Sequence, residues 1–433
     1  MAPTEAARQS FLSRSARALL LVLLAAYVTL RGILPALHGS YSDIGNYLTA
    51  AKIVAAGGEV GRLYDDQWFQ EQMHRAGFGE RGKFSPFPPP TALLMLPLAR
   101  LAPVQALRVV TLISVLALLA AIEMLARALS WSRLDAALFA MLSAAAIASS
   151  LRLGQPYLVV SACCILGYYL RLRQRPVAAG VLFGLFAPVK YFPGVLLAGF
   201  AINREWRLVL AGVAAAALVV GLSVLCLGWQ IHATYLSSVL GSHLTANLSM
   251  QSPFTVHFQS FDTLLRRLFV YDATANPHPL AALPELRVAL LVLIKLALAS
   301  LAALALRRLA QAGAAAAVAP TLGILGILTL LLAPATAAYH FTLLWLPLAL
   351  LLDYLWRRGA RTAGLALLGC YVLIGFFPYW ITDRFEGRGA LSVLAYPRLF
   401  LLLTMFLVSI DYVLRRSPER GLRGGALPAT AAA

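Results

Sequence analysis

Residues Arg175–Arg207 read RPVAAGVLFGLFAPVKYFPGVLLAGFAINREWR, two apolar runs on either side of APVKYFP. If both runs cross a bilayer, the chain returns to the side it left. If they form one kinked helix, every downstream segment changes sides. Arginine separates the two readings. With two crossings, Arg171, Arg173 and Arg175 share a face with Arg204 and Arg207. Working outward, the same face receives Arg14 and Arg17, Arg127 and Arg133, Arg307 and Arg308, Arg357, Arg358 and Arg361, and the Arg-rich C-terminal tail. Short basic connections resist translocation, so this face is expected to be cytoplasmic, with both termini on it.

Composition agrees with a membrane-embedded chain. Of 433 residues, 60% are hydrophobic and only 12% charged. That is too little polar surface for a soluble protein of this length. The excess of 36 Lys+Arg over 18 Asp+Glu is placed by the short loops, which argues against a nucleic-acid partner. Four cysteines lie in apolar runs without metal-ligand spacing and read as small buried hydrophobes. The first apolar run has no small-residue cleavage signal after it and reads as a retained span.

The expected fold class is an all-α polytopic membrane protein with about twelve transmembrane helices. The spans fall near 16–37, 104–127, 134–151, 156–170, 176–188, 191–203, 207–228, 287–306, 314–334, 340–356, 361–379 and 396–414. They form one bundle over 1–415, with long external segments at 38–103 and 229–286 and a disordered cytoplasmic tail at 416–433. The Ala-, Leu- and Arg-rich composition suits a bacterial inner membrane. The external face carries almost all the histidines and most of the acids, as a substrate site would.

Several stretches on that face carry candidate chemistry. YSDIGNYLTAAK (41–52) opens an amphipathic helix expected to lie along the membrane surface. Ser42 and Asp43 are good helix-capping types, and Asp43 reads equally as a general base at the lipid–water boundary. FSPFPPPTALLMLPLARL (84–101) is a stiff connector or a wall for a lipid chain. Gln155 sits at the start of a span, placed to satisfy backbone groups or to bind a sugar hydroxyl. Lys190 lies between Pro188 and Pro193, either snorkelling or meeting an anion. His243, Asn247, His257, Gln259 and Asp262 mix with aromatic residues, and Arg266 and Arg267 stand on the external side against the charge bias. Arg266 and Arg267 suit an anionic partner or headgroups. Tyr339 and His340 stand at the mouth of a span, Tyr339 as interface belt material and His340 as a phosphate contact. The histidines lack zinc spacing, so no metal site is expected.

In order along the chain, Asp43, AAKIVAAGGEVGRLYD, FPPPTALLMLPLA, GQPYLVV, GVLFGLFAPVKYFPGVLLA, FQSFDTLLRRLF and YHFTLLWLPLALLL resemble the integral-membrane glycosyltransferases of family 87 over about residues 40 to 355. The resemblance implies a GT-C fold with a surface helix in the first external loop and a non-cytoplasmic active site. It implies Asp43 as base and matches Lys190 and His340 to the family's lysine and histidine, expected at the donor phosphate; the charge of Arg266 and Arg267 adds them to the residues expected there. It further implies Gln259 and Ser260 at sugar and acceptor, where Gln155, Tyr339 and His257 are expected from their residue types and external position. Where the family has an Asn-Gln-Ser triplet this chain has Phe258-Gln259-Ser260. The expected reaction is inverting transfer of mannose from a polyprenyl-phosphate donor to a glycolipid or lipoglycan acceptor, among membrane lipids. No cofactor is required, and a divalent cation is left open. The alternatives are another lipid-linked-sugar transferase, such as an arabinofuranosyltransferase, and a transporter or flippase of lipid-linked sugars.

Overall fold

The computed structural model describes residues 13–39, 43–244, 252–311 and 314–415. Ser42, Asn247 and the tail at 416–433 lie outside them. Among the described residues there is no β-strand, only an isolated bridge between Asp272 and Asn276. The protein is an all-α polytopic membrane protein.

In chain order the principal helices are α1 (Arg14–Leu37), α2 (Ile44–Ala55), α3 (Asp66–Arg75), α4 (Pro103–Leu129), α5 (Arg133–Met141) and α6 (Ala144–Leu153). They continue with α7 (Tyr157–Leu172), α8 (Pro176–Phe186), α9 (Phe192–Ile202), α10 (Trp206–Leu227) and α11 (Phe261–Phe269). The last are α12 (Pro284–Gln311), α13 (Ala314–Leu332), α14 (Ala338–Arg357), α15 (Arg361–Phe376) and α16 (Pro397–Arg415). Local chemistry starts many of them. Ser13, Asp65, Ser132 and Ser260 each accept a first-turn N–H, and Pro103 and Pro176 occupy first helical positions where a missing N–H is harmless.

Among the described residues, six helices are long and apolar enough to cross a bilayer: α1, α4, α10, α12, α14 and α16. The pair α5 and α6, bent by 68°, adds a seventh crossing if it is one span. The other five expected spans fall on the apolar helices α7, α8, α9, α13 (over Ala317–Leu332) and α15. By length and composition alone, six or seven of the twelve expected spans qualify as crossings. The decisive stretch forms two separate helices, α8 and α9, joined by a turn at Ala187–Tyr191.

The α8–α10 contact is the closest helix approach at this point of the bundle. A methyl added to Gly180 would lie 2.1 Å from the Leu208 carbonyl, and one added to Gly184 would lie 2.1 Å from the Gly212 carbonyl. The four-residue spacing of Gly180 and Gly184 puts both on one face and lets the backbones touch. This contact fixes the helix that leads into the Lys190 turn.

The basic connections meet at the end of the bundle opposite that turn. Arg17 pairs with Asp135, Glu123 bridges Arg127 and Arg133, and Arg171 Nε reaches both Glu205 oxygens at 2.7 and 2.8 Å. A main apolar core fills the bundle, and a second core lies under the 44–110 segment. Here the surface-helix expectation changes. Eight of the twelve α2 residues are buried, packed by Leu63, Phe69, Met73, Phe78 and Phe84. The segment after α2 folds over it and encloses it, so α2 does not present one bare apolar face to lipid.

Candidate active site

The turns at one end of the bundle enclose a cavity of about 930 Å³. The α2 start, the Pro86–Pro90 segment, the α6–α7 turn, the α8–α9 turn and the start of α14 all contribute walls. One part is polar, with Asp43, Asn46, Lys83, Gln155, Tyr157, Lys190, His243 and His340. Another is apolar, with Val195, Val220, Leu236, Leu240, Leu325 and Leu328.

Asp43 occupies the capping position of α2, yet its side chain makes no cap hydrogen bond. Its own backbone is already helical (φ −62°, ψ −10°), which turns the carboxylate away from the helix N–H groups. The capping reading of its side chain is thereby corrected: the carboxylate accepts from Gln155 Nε2 at 2.7 Å. Gln155 is brought there by Gly154, whose left-handed φ of 64° ends α6 and is open to glycine without penalty. The Gln155 backbone is held by its N–H to the Ser150 carbonyl at 2.9 Å, with Ser150 Oγ donating back to the Gln155 carbonyl at 3.1 Å.

Tyr47 lies one turn after Asp43 on α2, on the same face. Its hydroxyl donates to Gln155 Oε1 at 2.8 Å and accepts from Lys190 Nζ at 3.1 Å. Lys190 Nζ also stands 4.8 Å from the Phe87 and Tyr157 ring centres and 5.4 Å from that of Tyr47. Three ring faces thus hold a buried ammonium that hydrocarbon alone would not tolerate. Burial pulls the Lys190 ammonium down to about 7, partly offset by Asp43. Burial also raises the Asp43 carboxyl above its ordinary value, against the opposing pull of Gln155, Lys190 and Arg152.

On the facing wall, the Ala337 N–H donates to His340 Nδ1 at 2.8 Å. An accepting Nδ1 carries no proton, so His340 is neutral and its proton is on Nε2. Nε2 meets Tyr157 Oη at 2.7 Å. Tyr157 therefore accepts from His340 and keeps its own hydroxyl hydrogen for a ligand. Of the two roles open to His340, hydrogen bonding and charge neutralisation, its neutral ring and its bond to Tyr157 fit the first. Tyr339 stacks on Tyr157 with ring centres 5.2 Å apart and completes the wall.

Asp43, Gln155, Lys190, Tyr339 and His340 are thus brought together. The remaining expected residues are not. Arg267 is buried and held by the Phe254 carbonyl, the Ala275 carbonyl and Glu386. Arg266 does not line the cavity and lies in the field of Asp262 and Arg287. Gln259 donates to the Val256 and Ala395 carbonyls at 2.7 and 2.9 Å and accepts from the Arg398 N–H. Ser260 caps α11 and donates to the Pro334 carbonyl at 2.7 Å. His257 is exposed, 3.9 Å from Asp383. Gln259 and Ser260 hold the backbone behind the wall formed by Phe258, Pro334 and Ala335, because their polar atoms are consumed by main chain.

Tyr47, Tyr157, Phe87 and Lys83 were not singled out in sequence, and His243, named there only among the polar residues of its loop, also lines the cavity. Tyr157 was readable from its place beside Gln155. Lys83 is a second buried cavity cation, lowered to about 8 mainly by burial. His243 is lowered to about 4 by burial and by the fields of both lysines.

The sequence profile described as Glycosyltransferase family 87 matches residues 86–334, more than half of the chain. It takes in the proline wall, Gln155, Tyr157 and Lys190, with Asp43 and Tyr47 before it and His340 after it. A comparison with curated proteins finds no match.

Proposed function

Because the chain belongs to glycosyltransferase family 87, we propose that it moves mannose from a polyprenyl-phosphate donor to a glycolipid or lipoglycan acceptor at the non-cytoplasmic membrane face. The observation that carries this reading is a carboxylate held by hydrogen bonding at the polar end of a cavity whose other flank is apolar. A lipid-linked donor has that division: a charged sugar phosphate joined to a long hydrocarbon.

In this reading an acceptor hydroxyl gives its proton to Asp43 while its oxygen attacks the anomeric carbon from the face opposite the phosphate. The bond from the anomeric carbon to the phosphate oxygen breaks, and its electron pair leaves on the polyprenyl phosphate. One displacement inverts the anomeric centre and needs a single carboxylate, unlike hydrolysis with two. Lys190 offsets the charge that develops on the phosphate, and Tyr157 O–H donates to one of its oxygens. The leucine and valine flank takes the polyprenyl chain. Family membership favours transfer over the transporter alternative.

The test is transfer of radiolabel from polyprenyl-phosphate-mannose to lipid acceptors in membranes carrying the wild type or Asp43→Asn. Wild-type transfer with near-complete loss in Asp43→Asn is expected. Equal transfer by both removes Asp43 as the base. Equal activity with GDP-mannose, in membranes unable to make the lipid donor, removes the lipid-linked donor.

A further inference from the structure

The face of α2 that carries Asp43 holds a polar group outside the row through Tyr47 and Gln155. Asn46 follows Asp43 by three residues, so the two side chains are neighbours on the helix. Its N–H donates to the Asp43 carbonyl at 3.1 Å. Its side chain is held from another direction, where Oδ1 accepts the Lys83 N–H at 2.9 Å. The segment carrying Lys83 is clamped to α3: Gly82 N–H donates to Gln70 Oε1 at 2.8 Å, and Gln70 Nε2 donates to the Glu80 carbonyl at 2.9 Å. Gly82 permits the approach, because a methyl there would overlap Asn46 Oδ1. The Lys83 bond also sets which end of the amide is which, since only its oxygen can accept. Asn46 Nδ2 then keeps two hydrogens with no hydrogen-bond partner among the described residues. Asn46, Gly82 and Lys83 all line the cavity with Asp43. Gln155 engages Oδ2 of Asp43, and Oδ1 has no partner among the described residues.

A carboxylate that takes a proton and an amide edge that only gives one therefore share one helix face at the polar end of the cavity. Neighbouring hydroxyls of a sugar ring match that pair. One gives its proton to Asp43, and the oxygen beside it accepts from Asn46 Nδ2. A lone hydroxyl, as on a serine side chain or a diacylglycerol, leaves Nδ2 unused. We propose that Asn46 is a specificity-determining residue, binding the hydroxyl next to the attacked one on a sugar acceptor. Asn46 has this role only if Asp43 is the base of the proposed transfer. The amide is neutral, so it aligns the acceptor without adding charge beside the base. Its lock to Lys83 fixes it before the acceptor arrives, so little side-chain freedom is lost on binding.

The experiment uses the purified full chain with radiolabelled polyprenyl-phosphate-mannose as donor. The acceptors are octyl α-mannoside, its monodeoxy analogues, and lipids extracted from the membranes that held the protein. The wild type is expected to use the analogue lacking the adjacent hydroxyl about tenfold less well in kcat/KM, the worth of one neutral hydrogen bond. In Asn46→Ala the parent mannoside falls to the level of that analogue, so the gap closes while the donor KM is unchanged. A purely structural role for Asn46 lowers the unfolding midpoint and leaves the gap in place. A gap that persists in Asn46→Ala, or is absent from the wild type, overturns the assignment. Asn46→Asp keeps an acceptor for the Lys83 N–H and loses both donors, so it decides if Asn46→Ala does not fold. Its acceptor KM is expected to rise about tenfold, and a wild-type value overturns the role. If the extracted lipids alone are accepted, their KM decides: a tenfold rise in Asn46→Ala supports the role and no change overturns it. A wild type that transfers to neither acceptor overturns the transferase reading and this role with it. Transfer with the gap unaltered overturns this role alone.

Discussion

The Asp43 carboxylate and the Gln155 amide, 112 residues apart in the chain, meet at 2.7 Å. Neither orients itself. Asp43 is turned outward by the helical backbone at the head of α2, and Gln155 is swung in by the left-handed turn at Gly154. Gln155 is a positioning residue for Asp43.

Gln155→Ala should lower kcat on the order of 100-fold with little change in KM, the size of effect expected when a reacting group drifts by about 1 Å. Gln155→Glu should also lower it and move the acid limb of the pH profile upward, because a second carboxylate beside Asp43 disfavours its ionised form. Steady-state transfer across pH measures both. An unchanged acid limb in Gln155→Glu would separate Gln155 from the base.

Tyr47→Phe removes one hydroxyl that serves two partners. Gln155 Oε1 loses its donor in a buried setting, an expected loss of about 1–3 kcal/mol. Thermal unfolding in detergent should therefore fall measurably, and transfer should fall with it. Unchanged stability would mean that Lys190 takes over as donor to Gln155.

The pH dependence follows from two opposed shifts. Asp43 must be ionised to accept a proton, so activity is lost as pH falls through its raised value. Lys190 must be charged to offset the leaving phosphate, so activity is lost as pH rises through about 7. The expected profile is a narrow bell. Lys190→Met should remove the alkaline limb and cost on the order of 100-fold to 1,000-fold in kcat, as loss of one preorganised donor does. An alkaline limb that survives in Lys190→Met would assign it to another group, with Lys83 the next to test.

Gly184→Ala introduces a methyl 2.1 Å from the Gly212 carbonyl, so α8 and α10 must separate. Overpacking of this kind costs about 1–3 kcal/mol. Because α8 ends at the turn carrying Lys190, transfer should fall alongside the melting temperature. The same exchange at Gly221, where an added methyl meets nothing within 4 Å, should leave both unchanged.

Much of this was legible in sequence, and the exceptions have one physical origin. Periodic apolar runs and arginine spacing located the helices and the two-helix reading of 175–207. Asp43, Lys190 and His340 stood out because isolated polar groups near a bilayer need a partner. Sequence could not say which partner. Arg267 and Gln259 have the chemistry of ligands for phosphate and sugar, yet backbone carbonyls claim them. A carbonyl brought close by the fold leaves no signature in residue type. Tyr47 was hidden for the converse reason: a tyrosine at an apolar helix position reads as packing until its hydroxyl is seen between an amide and an ammonium.

The row from Lys190 through Tyr47 and Gln155 to Asp43 has a direction. A charged lysine has no lone pair, so it can only give; each following group accepts on one side and gives on the other until the carboxylate receives. Reversing any link requires reversing all of them, and that needs a neutral amine at one end and a carboxylic acid at the other. Charge at both ends fixes the row in its forward position, whereas a neutral amine, which can give or accept, no longer fixes it. The carboxylate that takes the proton and the ammonium that answers the departing phosphate are thus joined through the same two side chains.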